Sequence, residues 1–247
     1  MSRRWLFLSI CLSLVGGYTN ASPDVLLPIG QEMQDRVKAR FLAAGVTYPP
    51  ERIQLLALKE SRRVELWAWK DTRWQHVHDY PVFAASGQAG PKLREGDKQV
   101  PEGFYRIEAL NPNSNFHLSL KLDFPNPYDW LNASAEGRHA PGSNIFIHGS
   151  AWSTGCLAMG NQGVEELFTL AALLGEDRVQ VVIAPHDFRT RPPLGSNRQP
   201  AWVRELYSYI YAHLRQFPLA RKQKGCEPDC NVPSNRLTYT TGDENFP

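Results

Sequence analysis

The sequence predicts a mainly β, α+β fold, with helices at the margins of a β-rich core. Three observations carry this expectation. Short runs of β-formers recur between residues 50 and 187, separated by turn residues. One of them, Phe116 to Leu122, alternates cleanly, with Phe116, Leu118, Leu120 and Leu122 on one face and His117, Ser119 and Lys121 on the other. Helical spacings of apolar residues lie mostly outside these runs. At 247 residues and 42% hydrophobic composition, the chain can enclose a sizeable core as one domain with appendages. A formal net charge of +2 gives no electrostatic case for nucleic acid, and no run of like charges marks an interaction tail.

Taken in order, the chain begins with Arg3 and Arg4, an apolar run from Trp5 to Val15, and the small-residue stretch Thr19-Asn20-Ala21. These are the three regions of a secretory signal peptide over residues 1–21. The apolar run is well short of the ~20 residues needed to span a bilayer, so no stable membrane insertion is expected after cleavage. Cys11 leaves with the leader, and no cysteine follows it at a lipid-attachment position. Residues 22–49 form an N-terminal helical segment, in which Ile29, Met33, Val37 and Phe41 recur at helical spacing and Gly45 provides the stop.

The core is expected over residues 50–187. Ile53 to Leu58 and Val64 to Trp69, joined by the polar turn Glu60-Ser61-Arg62-Arg63, read as a hairpin. Further strands are expected at Trp74 to Ala85, Phe104 to Leu110, Phe116 to Leu122, Asn144 to His148 and Val179 to Ala184. Val164, Leu167, Phe168, Ala171 and Leu174 mark a helix, with Asn161 as N-cap and Gly175 as stop. Residues 188–247 comprise a linker rich in Arg, Pro, Gly and Asn, a helix marked by Val203, Leu206, Tyr207, Ile210, Tyr211 and Leu214, and a tail of little expected order. The aromatics of that helix, with Trp202, either cap a groove or, by the default for helical spacing, belong to the core.

The chemistry concentrates in Ile147-His148-Gly149-Ser150-Ala151-Trp152-Ser153-Thr154-Gly155-Cys156. Without the leader, the chain retains three cysteines. Cys226 and Cys230 frame a loop small enough to close as a local disulfide in an oxidising compartment, which leaves Cys156 unpaired, as a nucleophile should be. His148 lies eight residues before it, within reach through a reverse turn, and is the candidate base. A helix N-terminus nearby and an imidazolium would both depress the thiol pKa. Backbone N–H groups around Thr154, Gly155 and Cys156 are candidates for an oxyanion hole, with Ser153 as a hydrogen-bond donor and Gly149 as a small neighbour. No spacing supplies the ligands of a zinc site, so neither metal nor organic cofactor is expected. Upstream, Gly87, Gly90, Pro91, Gly96 and Pro101 shape a loop bearing Lys92, Arg94, Glu95, Asp97 and Lys98. Lys92 and Glu95 are candidate contacts for a zwitterionic peptide, the alternative being a solvated loop.

His148-Gly149 and Ser153-x-Gly155-Cys156, with Gly90-Pro91-Lys92, Glu95-Gly96-Asp97 and Pro101-Glu102-Gly103-Phe104-Tyr105, together resemble the L,D-transpeptidase catalytic domain (YkuD-like). The similarity is greatest to its YafK branch, whose members include an enzyme that detaches murein lipoprotein from peptidoglycan. Phe124-Pro125-Asn126-Pro127-Tyr128-Asp129 also resembles a segment of that branch. The resemblance implies a β-rich catalytic domain in the periplasm, with Cys156 as nucleophile, His148 as base and Gly155 at the oxyanion site. Its implied partners are the stem peptides of peptidoglycan, attacked at meso-diaminopimelate, with murein lipoprotein as an alternative partner. Two departures stand out. The commoner pattern has a histidine two residues before the cysteine and an arginine two residues after it; Thr154 and Ala158 occupy those places here. Transpeptidation, lipoprotein-releasing hydrolysis and non-catalytic peptidoglycan binding therefore stay open. A papain-type protease is disfavoured because its cysteine precedes a distant histidine.

Overall fold

The computed structural model describes residues 30–193 and 199–219. The leader with Cys11, the five residues 194–198 of the linker, and the tail with Cys226 and Cys230 lie outside the described residues. In chain order the elements are α1 (Gln31–Ala43), β1 (Ile53–Leu58), β2 (Arg63–Lys70), β3 (Arg73–Pro81), β4 (Ala84–Ala85), β5 (Gly103–Ser114), β6 (His117–Leu122), α2 (Pro127–Ala135), β7 (Phe146–His148), β8 (Leu157–Ala158), α3 (Gly160–Leu174), β9 (Val179–Ala184) and α4 (Trp202–Leu214). A single 3-10 turn, Glu176–Arg178, enters β9. The nine strands make one mixed sheet in the order β3-β2-β1-β9-β5-β6-β7-β8-β4, so the fold is α+β as the sequence predicts.

Strand β1 shows why the sheet needs helices on both sides. Every one of its residues is buried, and the alternation sends Ile53, Leu55 and Ala57 one way and Leu56 and Leu58 the other. The first set joins Met33, Val37 and Phe41 of α1 and Leu167, Phe168 and Ala171 of α3. The second joins Trp67, Val182 and the Val203, Leu206, Ile210 and Leu214 stripe of α4. Tyr207 is buried in that second cluster, so the default core reading of the α4 aromatics holds for it. Strand β5 links the two halves of the sheet. Gly103 to Arg106 pair with β9, and from Ile107 the strand pairs with β6 through two register breaks. Such bulges bend and twist a strand.

Four local expectations need correction. Trp74 to Ala85 is two strands, because Pro81 offers no N–H and Phe83 N instead donates to Ala158 O, turning the chain toward β8. Phe116 precedes β6 and is 47% exposed; the turn places it against His148 instead of in the core. Asn161 is not the N-cap of α3, which starts at Gly160; its Oδ1 accepts from Ser150 N at 3.0 Å. Helix α2 is not among the expected elements, although Pro127 at its first turn and the reciprocal Asn126–Asp129 capping box announce it.

A buried ionic network joins α1, β3 and α3. Glu166, with no exposed surface, accepts Arg40 Nε at 2.6 Å and Nη2 at 2.9 Å, and Tyr80 OH at 2.8 Å. Arg40 Nη1 lies 3.1 Å from His78 Nδ1. Burial, and then the Arg40 cation, push the His78 pKa down to about 4, against the opposing pull of Glu166 and Asp79. Arg40→Leu leaves a buried carboxylate uncompensated and should cost about 3–5 kcal/mol of stability, with most of it recovered in Arg40→Leu/Glu166→Leu, as read from denaturant midpoints. In the unfolded chain His78 titrates near ~6.5, so between there and its native value the native state binds fewer protons. The stability this group contributes is complete above that range and lost as pH falls toward 4. A His78→Asn variant should therefore lose less stability than the parent between neutral pH and pH 5.

Candidate active site

Strand β7 ends at His148 and β8 starts one residue after Cys156. The two strands are parallel, with Ile147 opposite Leu157 and His148 opposite Ala158. That register sets Cys156 level with Phe146, and side-chain alternation turns His148 and Cys156 to the same face, one diagonal apart. The intervening turn is pinned to the start of α3: Met159 N donates to His148 O at 2.8 Å and Gly160 N to Ser150 O at 3.0 Å.

Two backbone carbonyls and one hydroxyl organise the pair. Gly149 O accepts from His148 Nδ1 at 2.6 Å, which fixes the tautomer with Nε2 as the basic nitrogen. The Phe116 ring lies 4.7 Å from the imidazole, tilted by 36°. Asn144 O accepts from the Cys156 thiol at 3.8 Å. Ser153 Oγ donates to Cys156 O at 2.6 Å and accepts from Cys156 N at 3.0 Å and Gly155 N at 3.4 Å. Gly155 has φ +123°, in the region that favours glycine, so its residue type is set by the turn. Thr154 is exposed and takes no part in these bonds. Of the N–H groups expected at an oxyanion hole, those of Gly155 and Cys156 are thus held by Ser153. Gly149 is buried, and a Cβ there would come within 2.5 Å of Phe116 O, so close packing accounts for it.

The electrostatics differ from expectation. Burial holds the Cys156 thiol above its ordinary range; a backbone hydrogen bond from Phe146 and the Lys92 charge pull it only partly back. Burial also lowers the His148 pKa, outweighing the Gly149 carbonyl. Both shifts favour the neutral thiol and neutral imidazole over the thiolate and imidazolium that the sequence suggests.

Of the upstream loop, the structure brings Lys92 near the thiol and leaves Glu95 at the rim. The Lys92 ammonium is buried and binds Asp97 and Arg94 O, the latter at 3.0 Å. Asp97 also receives the backbone N–H of Leu93, Arg94 and Gln99. Exposed Glu95 accepts from Ser143 Oγ at 2.8 Å. The sequence reading missed Phe116, Asn144 and Phe146; only the alternation around Phe116 held a signal, and it pointed to the core.

This arrangement lies within a recognisable domain. The sequence pattern of the L,D-transpeptidase catalytic domain (YkuD) matches residues 56–183. The chain belongs to that family. Over 185 residues it is 33% identical to YafK of Escherichia coli K12, provisionally named an L,D-transpeptidase, covering 73% of this chain and 68% of that protein. Among solved structures, the helical cell shape determining protein Pgp2 of Campylobacter jejuni superposes with a TM-score of 0.45 at 22% identity, over 55% of this chain and 48% of its own. Bd1075 of Bdellovibrio bacteriovorus gives 0.41 at 22% identity, over 57% and 50%. This chain thus spans about half the length of each solved protein. Among the described residues, no helix is long and apolar enough to cross a membrane.

Because the thiol is raised by burial, Cys156 should alkylate with iodoacetamide more slowly at neutral pH than free cysteine, with a rate that climbs with pH. Lys92→Met should shift that profile further upward. A profile already flat at neutral pH would contradict both statements.

Proposed function

We propose that this chain is a periplasmic, peptidoglycan-modifying L,D-transpeptidase that works through a Cys156 thioester. The observation that carries the reading is the parallel β7–β8 register, which sets the Cys156 thiol and a tautomer-fixed His148 on one face within the matching domain. The acyl donor is a stem peptide, attacked at the carbonyl of the L-centre of meso-diaminopimelate. As Sγ adds to that carbonyl, Nε2 of neutral His148 takes the thiol proton. The imidazolium then gives it to the departing amine, and the tetrahedral adduct collapses to the thioester. An amine or water enters, loses its proton to His148 and releases the acyl group, which regenerates the thiol.

The developing oxyanion needs donors, and Gly155 N–H and Cys156 N–H are the nearest candidates. They serve once the substrate oxygen displaces Ser153 Oγ, which until then satisfies both and keeps the loop in shape. Lys92 supports negative charge on sulfur from its buried position beside Asp97. The apolar leader Trp5 to Val15 supports export.

A hydrolase that releases murein-bound lipoprotein is the second reading. It is favoured by Ala158, a buried residue of β8 at the place where the commoner family pattern carries an arginine that could clamp a carboxylate. Mass spectrometry of muropeptides from purified sacculi, incubated with the mature protein or with Cys156→Ala, separates the readings. New 3-3 cross-links absent from the control would establish transpeptidation, and loss of lipoprotein remnants alone would establish hydrolysis. Cys156→Ala and His148→Gln should each abolish turnover while leaving the thermal midpoint unchanged. Turnover retained in Cys156→Ala would overturn the thioester mechanism, and unchanged muropeptides with the parent protein would overturn the enzyme reading in favour of a binding protein.

A further inference from the structure

Two adjoining cavities lie beyond Asn144. A cavity of about 350 Å³ is bounded by Ser143 and Asn144, and Asn144 O is the acceptor of the Cys156 thiol. This cavity shares Arg106, Asp123, Asn126 and Pro127 with a second one of about 470 Å³ between strands β5 and β9 and helices α2 and α4. A substrate longer than one peptide would therefore meet both.

The floor of the larger cavity is chemically unlike its surroundings. Gln54 of β1 pairs with Gln180 of β9, which pairs with Arg106 of β5, so the three form a row across neighbouring strands. By alternation they share the face that carries Leu56 and Val182, interrupting the apolar layer beneath α4. Gln54 has no exposed surface, yet its Nε2 has no hydrogen-bond partner, and its Oε1 has only His213 Nε2 at 3.4 Å. A buried amide donor left unpaired is costly, and here it borders a cavity. The walls are aromatic: Phe104 and Tyr209 are 37% and 53% exposed, and Tyr209 OH is tethered to Glu205 at 2.6 Å.

An amide row beneath exposed ring faces calls for a ligand with hydroxyl and carbonyl groups along one edge and an apolar face. Arg106 Nε faces Asp123 at 3.4 Å, so the cation of the row already lies beside a carboxylate. We propose that this groove is a saccharide subsite that binds N-acetylated sugar rings. The acetamide and ring hydroxyls bond the exposed Gln180 amide, above the unpaired Gln54, and the C–H face lies on Tyr209 and Phe104. The volume is in the range that small organic ligands fill, enough for a short oligosaccharide. Resting on the peptidoglycan reading, the groove would hold the glycan strand while its stem peptide reaches Cys156.

The test is an amide chemical-shift titration of the Cys156→Ala protein with the trimer of N-acetylglucosamine. Shifts should centre on Phe104, Tyr128, Gln180 and Tyr209, and Gln180→Ala and Tyr209→Ala should each weaken binding about tenfold at an unchanged thermal midpoint. Both side chains are exposed, so neither change threatens folding. No shifts, shifts centred elsewhere, variants that bind like the parent, or a sugar-free stem tripeptide occupying these same residues would each overturn the subsite. Failure of the catalytic reading would appear in the sacculus assay and leave this titration as it stands.

Discussion

The carboxylate of Glu102 is the point on which the arrangement of the site depends. It has no exposed surface, and its two oxygens collect partners from three parts of the chain. Oε1 accepts Lys59 Nζ at 2.9 Å and Gly90 N at 2.8 Å, while Oε2 accepts Tyr207 OH at 2.6 Å. Lys59 follows β1, Gly90 opens the loop that carries Lys92, and Tyr207 belongs to α4. Lys59 Nζ donates as well to Gly90 O and Val100 O at 3.1 and 3.0 Å, so the loop is gripped at both ends. Removing either Lys59 or Glu102 would leave the other's charge buried without compensation, at about 3–5 kcal/mol. The network thus stakes the loop's position on the integrity of the core.

What that loop does next is local. Asp97 gathers three backbone N–H groups and the Lys92 ammonium, closing the loop on itself. Gly142, at φ +122°, leaves room for the Lys92 stem, and a side chain there would collide with it. Gly155 packs near Gln99 O, so the turn that carries Cys156 and the charged loop rest against each other. The positive charge near Cys156 is accordingly a positioned one, buried and held by Asp97, and not a solvated lysine. It acts on a thiol that burial keeps protonated, next to an imidazole that burial keeps neutral.

Much of this was legible in the residue pattern, for identifiable reasons. The helical stripes of α1, α3 and α4 and the hairpin β1–β2 are strongly periodic, and periodicity depends on one face meeting a core. His148 and Cys156 stand out because the turn between them is short and rich in small residues. The failures also have causes. Phe116 continues an alternating pattern, but a turn precedes β6 and carries the ring to His148. Asn161 looks like a cap and instead serves Ser150 N, a partner eleven positions back.

The sequence by itself determined most of the strands and helices, the short His148–Cys156 segment that holds the candidate pair, and the family to which the chain belongs, since these rest on local periodicity and on motifs contiguous along the chain. Only the tertiary structure set the direction of the pair's pKa shifts, because these come from burial, opposed at the thiol by Phe146 and Lys92, and Lys92 is joined to Cys156 by no local pattern. It alone aligned Gln54, Gln180 and Arg106, since strand register across β1, β9 and β5 is a long-range property. It alone made Glu102 the shared partner of Lys59, Gly90 and Tyr207: a carboxylate can be buried only where folding supplies its donors, and those donors come from distant parts of the chain.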